Sequence, residues 1–146
     1  MNPKILQLLT HLRENSREKL TTISKKTNIP ISTLFDLLKE LQGNLITKST
    51  ILLDFSKLGY HTKAQIFLKV KNEDKEKLKT HLILNPNINN VFKINNGWDF
   101  LIETVHKNVK DLDIFLESLE QKYNLENKQI HYLIDEVKKE GFTIIQ

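Results

Sequence analysis

Residues 44–70 read NLITKSTILLDFSKLGYHTKAQIFLKV, and the hydrophobic period changes within them. Up to Leu41 the apolar residues recur at helical spacing. Leu45 to Leu53 is instead rich in β-branched and apolar residues and predicts extended strand, with a turn near Lys48. Asp54 to Tyr60 interrupts that run with Ser56, Lys57 and Gly59, the composition of a hinge. Ala64 to Val70 then alternates apolar and polar side chains, the pattern of a strand with one covered face. The stretch therefore divides a helical first half from a mixed second half.

Working backward, Ile5, Leu8, Leu9 and Leu12 predict a first helix over Pro3 to Glu14, with Pro3 tolerated in its opening turn. Leu20 and Ile23 predict a second over Leu20 to Thr27. Asn28 tolerates left-handed backbone geometry and can close a tight turn. A third helix follows Pro30, over Ile31 to Leu41, with Leu34, Leu37, Leu38 and Leu41 on its apolar face; Gly43-Asn44 ends it. Two helices at a short turn, followed by an expected β-wing, form the skeleton of a winged helix-turn-helix, the paired helices spanning about 20–41.

Working forward, the order is strand, helix, strand, strand, helix, strand. The helices are expected over Asp74 to Leu84 and Val109 to Tyr123. A hairpin is expected over Asn90 to Asn95 and Trp98 to Val105, around Asn95-Asn96-Gly97. Lys128 to Glu140 is expected as the last strand. This is the split βαβ of a ferredoxin-like domain. The fold class is thus α+β: a winged helix-turn-helix domain over 1–53, a linker over 54–62, and a ferredoxin-like βαββαβ domain over 63–146.

Charge divides along the same line. Residues 1–63 hold ten Lys/Arg against five Asp/Glu, and residues 64–146 hold twelve against thirteen. A basic first half suits a polyanion such as double-stranded DNA, or equally a solvated lysine-rich surface. The absence of cysteine excludes disulfides, thiolate metal sites and cysteine nucleophiles. The five histidines are scattered without metal-ligand spacing, and the four glycines form no phosphate loop, so no metal and no cofactor is expected. The chain opens without an apolar run suited to a signal peptide or membrane span, so a cytoplasmic protein is expected.

The hinge string Leu53-Asp54 with Lys57-Leu58-Gly59-Tyr60 resembles that of the Lrp/AsnC (feast/famine) transcriptional regulators. Ile23-Ser24-Lys25-Lys26 up to Ile29 is similar to their helix-turn-helix. Pro86-Asn87-Ile88 and Asn96-Gly97-Trp98-Asp99-Phe100-Leu101 are similar to their effector-domain pattern. The resemblance implies a RAM-type sensor and dimerisation domain, DNA binding through the third helix, a homodimer that in many members assembles to octamers, and a small effector such as an amino acid. Two departures stand out. The third helix carries Asp36 and Glu40 with Lys39 where the family usually has arginines, and Asn96 stands where its loop has glycine.

The expected DNA contacts are Ser32 and Thr33 at the start of the third helix, Phe35, Asp36 and Lys39 along it, and Lys48 on the wing. Hydroxyls at a helix N-terminus suit phosphate or base edges, although Ser32 and Thr33 are equally good helix initiators. Phe35 would meet a thymine methyl or else pack in the core. Asp36 opposes phosphate. Asn96, Gly97 and Asp99 are the expected effector contacts, with Asp99 accepting an amino group; the plainer alternative is a hairpin turn with Asp99 in a salt bridge or cap. Asp99→Ala is expected to abolish a ligand response and leave the fold intact. Dimerisation is expected through strand faces carrying Ile66, Leu68, Ile102 and Ile134.

The function expected is a DNA-binding regulator responding to a small metabolite. A weakly DNA-binding, co-assembling partner protein is the alternative, favoured by the acids of the third helix. An enzyme of the sirohaem decarboxylase kind shares the two-domain plan but is marked by His-Asn-Tyr and Asn-x-Trp-Phe strings. Val91 to Phe100 has neither, so no enzymatic role is expected.

Overall fold

The computed structural model describes residues 2–144 and divides into two compact units, one of Met1–Leu52 with Lys138–Gln146 and one of Leu53–Val137. The tail from Lys138 thus groups with the N-terminal helices, whereas everything from 63 onward was expected to form one domain. Arg13 pairs with Glu140 inside the first unit at 3.4 Å.

In the first unit, α1 (Pro3–Glu14), α2 (Leu20–Thr27) and α3 (Ile31–Leu41) coincide with the helices expected. Asn2 caps α1 by accepting from the Lys4 amide at 2.9 Å. Asn28 closes α2 at φ 58°, the left-handed geometry that asparagine tolerates. The core is Leu8, Ile23, Ile29, Leu34 and Leu41, with Leu9, Leu12, Leu37 and Leu38 packed around it. Each fully buried leucine or isoleucine adds about 1.5–3 kcal/mol relative to exposure. This cluster fixes the angle between α2 and α3 and so the outward face of α3.

The strand expected over 45–53 does not form. Gln42 and Ile46 make one isolated bridge, and from Thr47 to Asp54 no backbone ladder is present. A strand needs a hydrogen-bonded neighbour, and no described segment supplies one. Ile51, Leu52 and Leu53 are exposed as a result.

The second unit begins with a single 3-10 turn, Phe55–Leu58, capped by Asp54 and closed by Gly59 at φ 91°. Asp54 accepts from both the amide and the hydroxyl of Ser56, which with Lys57 nearby holds its carboxyl below the ordinary value. Strands β1 (Thr62–Val70), β2 (Ile88–Lys93), β3 (Phe100–His106) and β4 (Leu125–Tyr132) form an antiparallel sheet in the order β2-β3-β1-β4. Helices α4 (Lys75–Leu84) and α5 (Val109–Lys122) lie over one face. This is the βαββαβ plan.

Strand β4 ends at Tyr132, not Glu140, since its ladder with β1 stops at Ala64 although β1 itself continues to Thr62 in its pairing with β3. Ala64 faces Tyr132, and the Leu133 amide makes the last bond to Lys63. Ile134 and Val137, which suggested a longer strand, lie past that end and are exposed. The hairpin loop is also wider than expected. The ladder of β2 and β3 ends at Lys93 and Phe100, and beyond it the Ile94 amide still donates to the Asp99 carbonyl at 3.1 Å and the Asp99 amide to the Leu68 carbonyl at 2.9 Å.

Burial along β1 alternates strictly. Ala64, Ile66, Leu68 and Val70 lie beneath the helices with Phe100 and Ile102. Ile66, Leu68 and Ile102 are therefore core, and the expectation that they form a dimer face is corrected. Period two places the opposite residues outward. Phe92, Leu101 and Phe67 form a cross-strand row there, beside Trp98 at 5.6 Å from Phe67.

Candidate functional site

The turn between α2 and α3 is held by short bonds from its own residues. The Ser24 hydroxyl donates to the Ile29 carbonyl and the Thr27 hydroxyl to Ile23, while Asn28 closes onto Ser24. Ile29 is buried behind the turn. Pro30 begins α3 with no side-chain cap, so neither Ser32 nor Thr33 spends its hydroxyl on capping. The first amides of α3 consequently point outward, where an anion is favoured.

Ser32, Phe35, Asp36 and Lys39 share the exposed face of α3, and Thr33 is half-buried at its flank. Phe35 is 58% exposed, which removes the core reading for it. Ile31, at 47% exposure one turn before Phe35, belongs to the same face and was missed in the sequence. Its spacing of four residues from Phe35 puts the two side by side on the helix, although Ile31 is equally a neighbour of the buried Leu34. Lys48 is exposed but lies in the irregular segment beyond α3, not on a strand.

In the second unit, Asn96 and Gly97 adopt φ 63° and 89°. Asparagine thus takes the left-handed position without glycine. Asp99 is tied inside the chain: its carboxylate accepts from the Val70 amide at 2.8 Å and meets the Lys75 ammonium at 3.1 Å. Partial burial raises the carboxyl, but the Val70 N–H and the Lys75 and Lys69 charges outweigh it and bring the group below its ordinary value.

A cavity of about 410 Å³ opens at the other end of the sheet, among α4, the turn between α4 and β2, β3 and α5. His106 lies in its wall, 2% exposed, and its Nε2 has no hydrogen-bond partner. Burial holds this imidazole below its ordinary pKa despite the opposing pull of Asp111. His81, also in the wall, is lowered by burial and by Lys122. The sequence held one signal for His106, since it continues the inward phase of Phe100, Ile102 and Thr104. Among the described residues no acid, histidine or cysteine group is arranged to hold a metal ion. No helix among them is long and apolar enough to cross a membrane.

A helix-turn-helix unit joined in one chain to a βαββαβ domain defines a class, and known proteins share that plan. No family model matches the sequence. An uncharacterized HTH-type transcriptional regulator of Pyrococcus furiosus is 25% identical over 145 residues, covering 99% of this chain and 95% of that protein. The HTH-type transcriptional regulator FL11 of the same organism is 28% identical over 118 residues, 80% of this chain and 76% of that one. Among solved structures, a transcriptional regulator of Neisseria meningitidis in complex with L-Met superposes with a TM-score of 0.88 at 17% identity, over 95% of this chain and 93% of that one. AsnC of E. coli superposes at 0.84 with 13% identity and 95% of each chain. The fold is that of the Lrp/AsnC regulators, as the sequence resemblance implied.

Proposed function

We propose that this chain is a DNA-binding transcriptional regulator that lays α3 in the major groove of double-stranded DNA. The observation that carries this reading is the outward face of α3, where uncapped amides, Ser32, Phe35 and Lys39 stand together. Phosphate would meet the first turn and Lys48, while Ser32 and Phe35 would face base edges and thymine methyl groups. The basic balance of residues 1–63 supports it. The chain works as a homodimer through the open sheet face of Phe67, Leu101 and Phe92, and it has no catalytic role. It responds to a small metabolite of the amino-acid class. Asn96, Gly97 and Asp99 remain the effector contacts under this reading, which the L-Met complex of the Neisseria regulator supports as a class.

Fluorescence anisotropy with DNA from upstream of the gene, across a salt series, tests the proposal. Sequence-preferring binding that is lost on Ser32→Ala with Lys39→Ala is the result expected; equal, weak binding to every duplex would sink it. One observation favours a second reading, a co-assembling partner protein: Phe35 is exposed on a helix that also exposes two acids, Asp36 and Glu40, that phosphate repels.

A further inference from the structure

We propose that Ile31 and Phe35 read the C5-methyl groups of two thymines in the major groove, so that the chain selects duplexes by their thymine methyls and not by guanine. This rests on the DNA-binding reading of α3 and names the kind of site that α3 prefers.

Ile31, Phe35 and Lys39 stand at i, i+4 and i+8, one stripe along the exposed side of α3. The stripe runs from two apolar side chains to an ammonium. Ile31 and Phe35 are both exposed, and neither joins the core of the first unit or a ring contact among the described residues. Apolar side chains so placed add little to folding and gain when another surface takes them from water.

A partner for this stripe must offer apolar points beside negative charge. The major groove does so, since thymine presents a methyl group there and phosphates run along both sides. The N-terminal residues of a recognition helix are the ones that reach base edges. Ile31 and Phe35 lie in the first half of α3, and Lys39 in its last turn. Four helical residues advance about 6 Å, close to two base-pair steps of about 3.4 Å. The two thymines therefore fall within about two steps of each other. A protein surface could also cover Ile31 and Phe35, but the basic balance of residues 1–63 and the uncapped first amides of α3 favour an anionic partner.

Guanine lacks a reader on this helix. Its usual partner is a guanidinium that bonds O6 and N7 together. The chain's two arginines, Arg13 and Arg17, precede α2 and so stand off α3. Asp36, exposed one residue after Phe35, presents only acceptors, as guanine's O6 and N7 do, so the two repel each other.

The test takes the full chain and a duplex pool randomised over about two helical turns, the span of a dimer's two half-sites. Selection should enrich thymine at pairs of positions within about two steps. Each thymine of a selected duplex is then replaced singly by deoxyuridine, which removes the methyl and keeps charge and pairing. At two positions of a half-site the replacement should weaken binding about fourfold, the worth of one buried methyl, and both together about fifteenfold. Phe35→Ala should abolish the penalty at one position and Ile31→Ala at the other. Both residues are exposed, so the fold should survive. The proposal is overturned, with the DNA-binding reading intact, if selected duplexes bind equally well with deoxyuridine throughout, or if either variant keeps both penalties. Selection of no preferred sequence overturns both readings and leaves α3 to a protein partner.

Discussion

The Asp99 carboxylate accepts the Val70 amide at 2.8 Å, across 29 residues of sequence, and so locks the hairpin loop to the end of β1. Lys75, at the start of α4, adds its ammonium to the same carboxylate. Asp99→Ala therefore removes the acceptor of a part-buried amide, and a loss of about 1–3 kcal/mol in urea unfolding is expected. Asp99→Asn keeps an acceptor oxygen and should lose less. Because the folded-state value lies below 3.8, the contribution is present above that pH and disappears as pH falls through the lower folded value. An acid limb unchanged in Asp99→Asn would contradict the assignment.

Helices were legible because their signals are local. Asn28, Pro30 and the leucine spacing specify α2 and α3 without reference to the rest of the chain. Strand limits were less so, because a strand lasts only as long as its ladder: Ile134 and Val137 have strand-like chemistry but lie past the last bond to β1, from Leu133 to Lys63. The run 47–53 shows the same principle in reverse. Which face of β1 was core depended on where the helices lie, a tertiary fact, so the alternation was visible but its sign was not. Most of the exposed face of α3 could be read from one helix. The His106 cavity could not, since its residues come from four segments.

His106 and His81 make stability fall on mild acidification. Both are held below the ordinary 6.5, by burial first; Lys122 adds to the effect at His81, while Asp111 opposes it at His106. Below pH 6.5 the unfolded chain binds protons at these positions before the folded chain does, so stability drops as pH falls toward the folded values. His106→Phe should flatten that decline in urea midpoints measured from pH 7.5 to 5. An unaltered slope would remove His106 from the account.

Adjacent residues of β1 should give opposite results. Ile66 is fully buried beneath the helices. Ile66→Ala should cost about 2–5 kcal/mol of stability. Phe67 faces away from that core, so Phe67→Lys should preserve the fold and break the homodimer, moving the light-scattering mass from twice 17.1 kDa to that value. A stable dimer of Phe67→Lys would exclude the open sheet face as the contact.

Asp36 separates the regulator from the co-assembling partner. It stands four residues after Ser32 on the exposed face of α3, so a groove that receives Ser32 brings phosphates near its carboxylate. A unit charge within several ångströms of a phosphate, in a largely aqueous groove, is repelled by roughly 1 kcal/mol, about fivefold in affinity. The penalty shrinks as salt shortens the screening length. Asp36→Ala should accordingly tighten DNA binding about fivefold at low ionic strength and less at high. Lys48→Ala should loosen binding and reduce the salt slope by about one unit, as expected when one phosphate contact is lost. Anisotropy titrations at four salt concentrations measure both effects. If both variants bind as the parent does, α3 and the segment around Lys48 are not the DNA surface. The exposed Phe35, beside Asp36 on α3, would then be read as a contact for another protein.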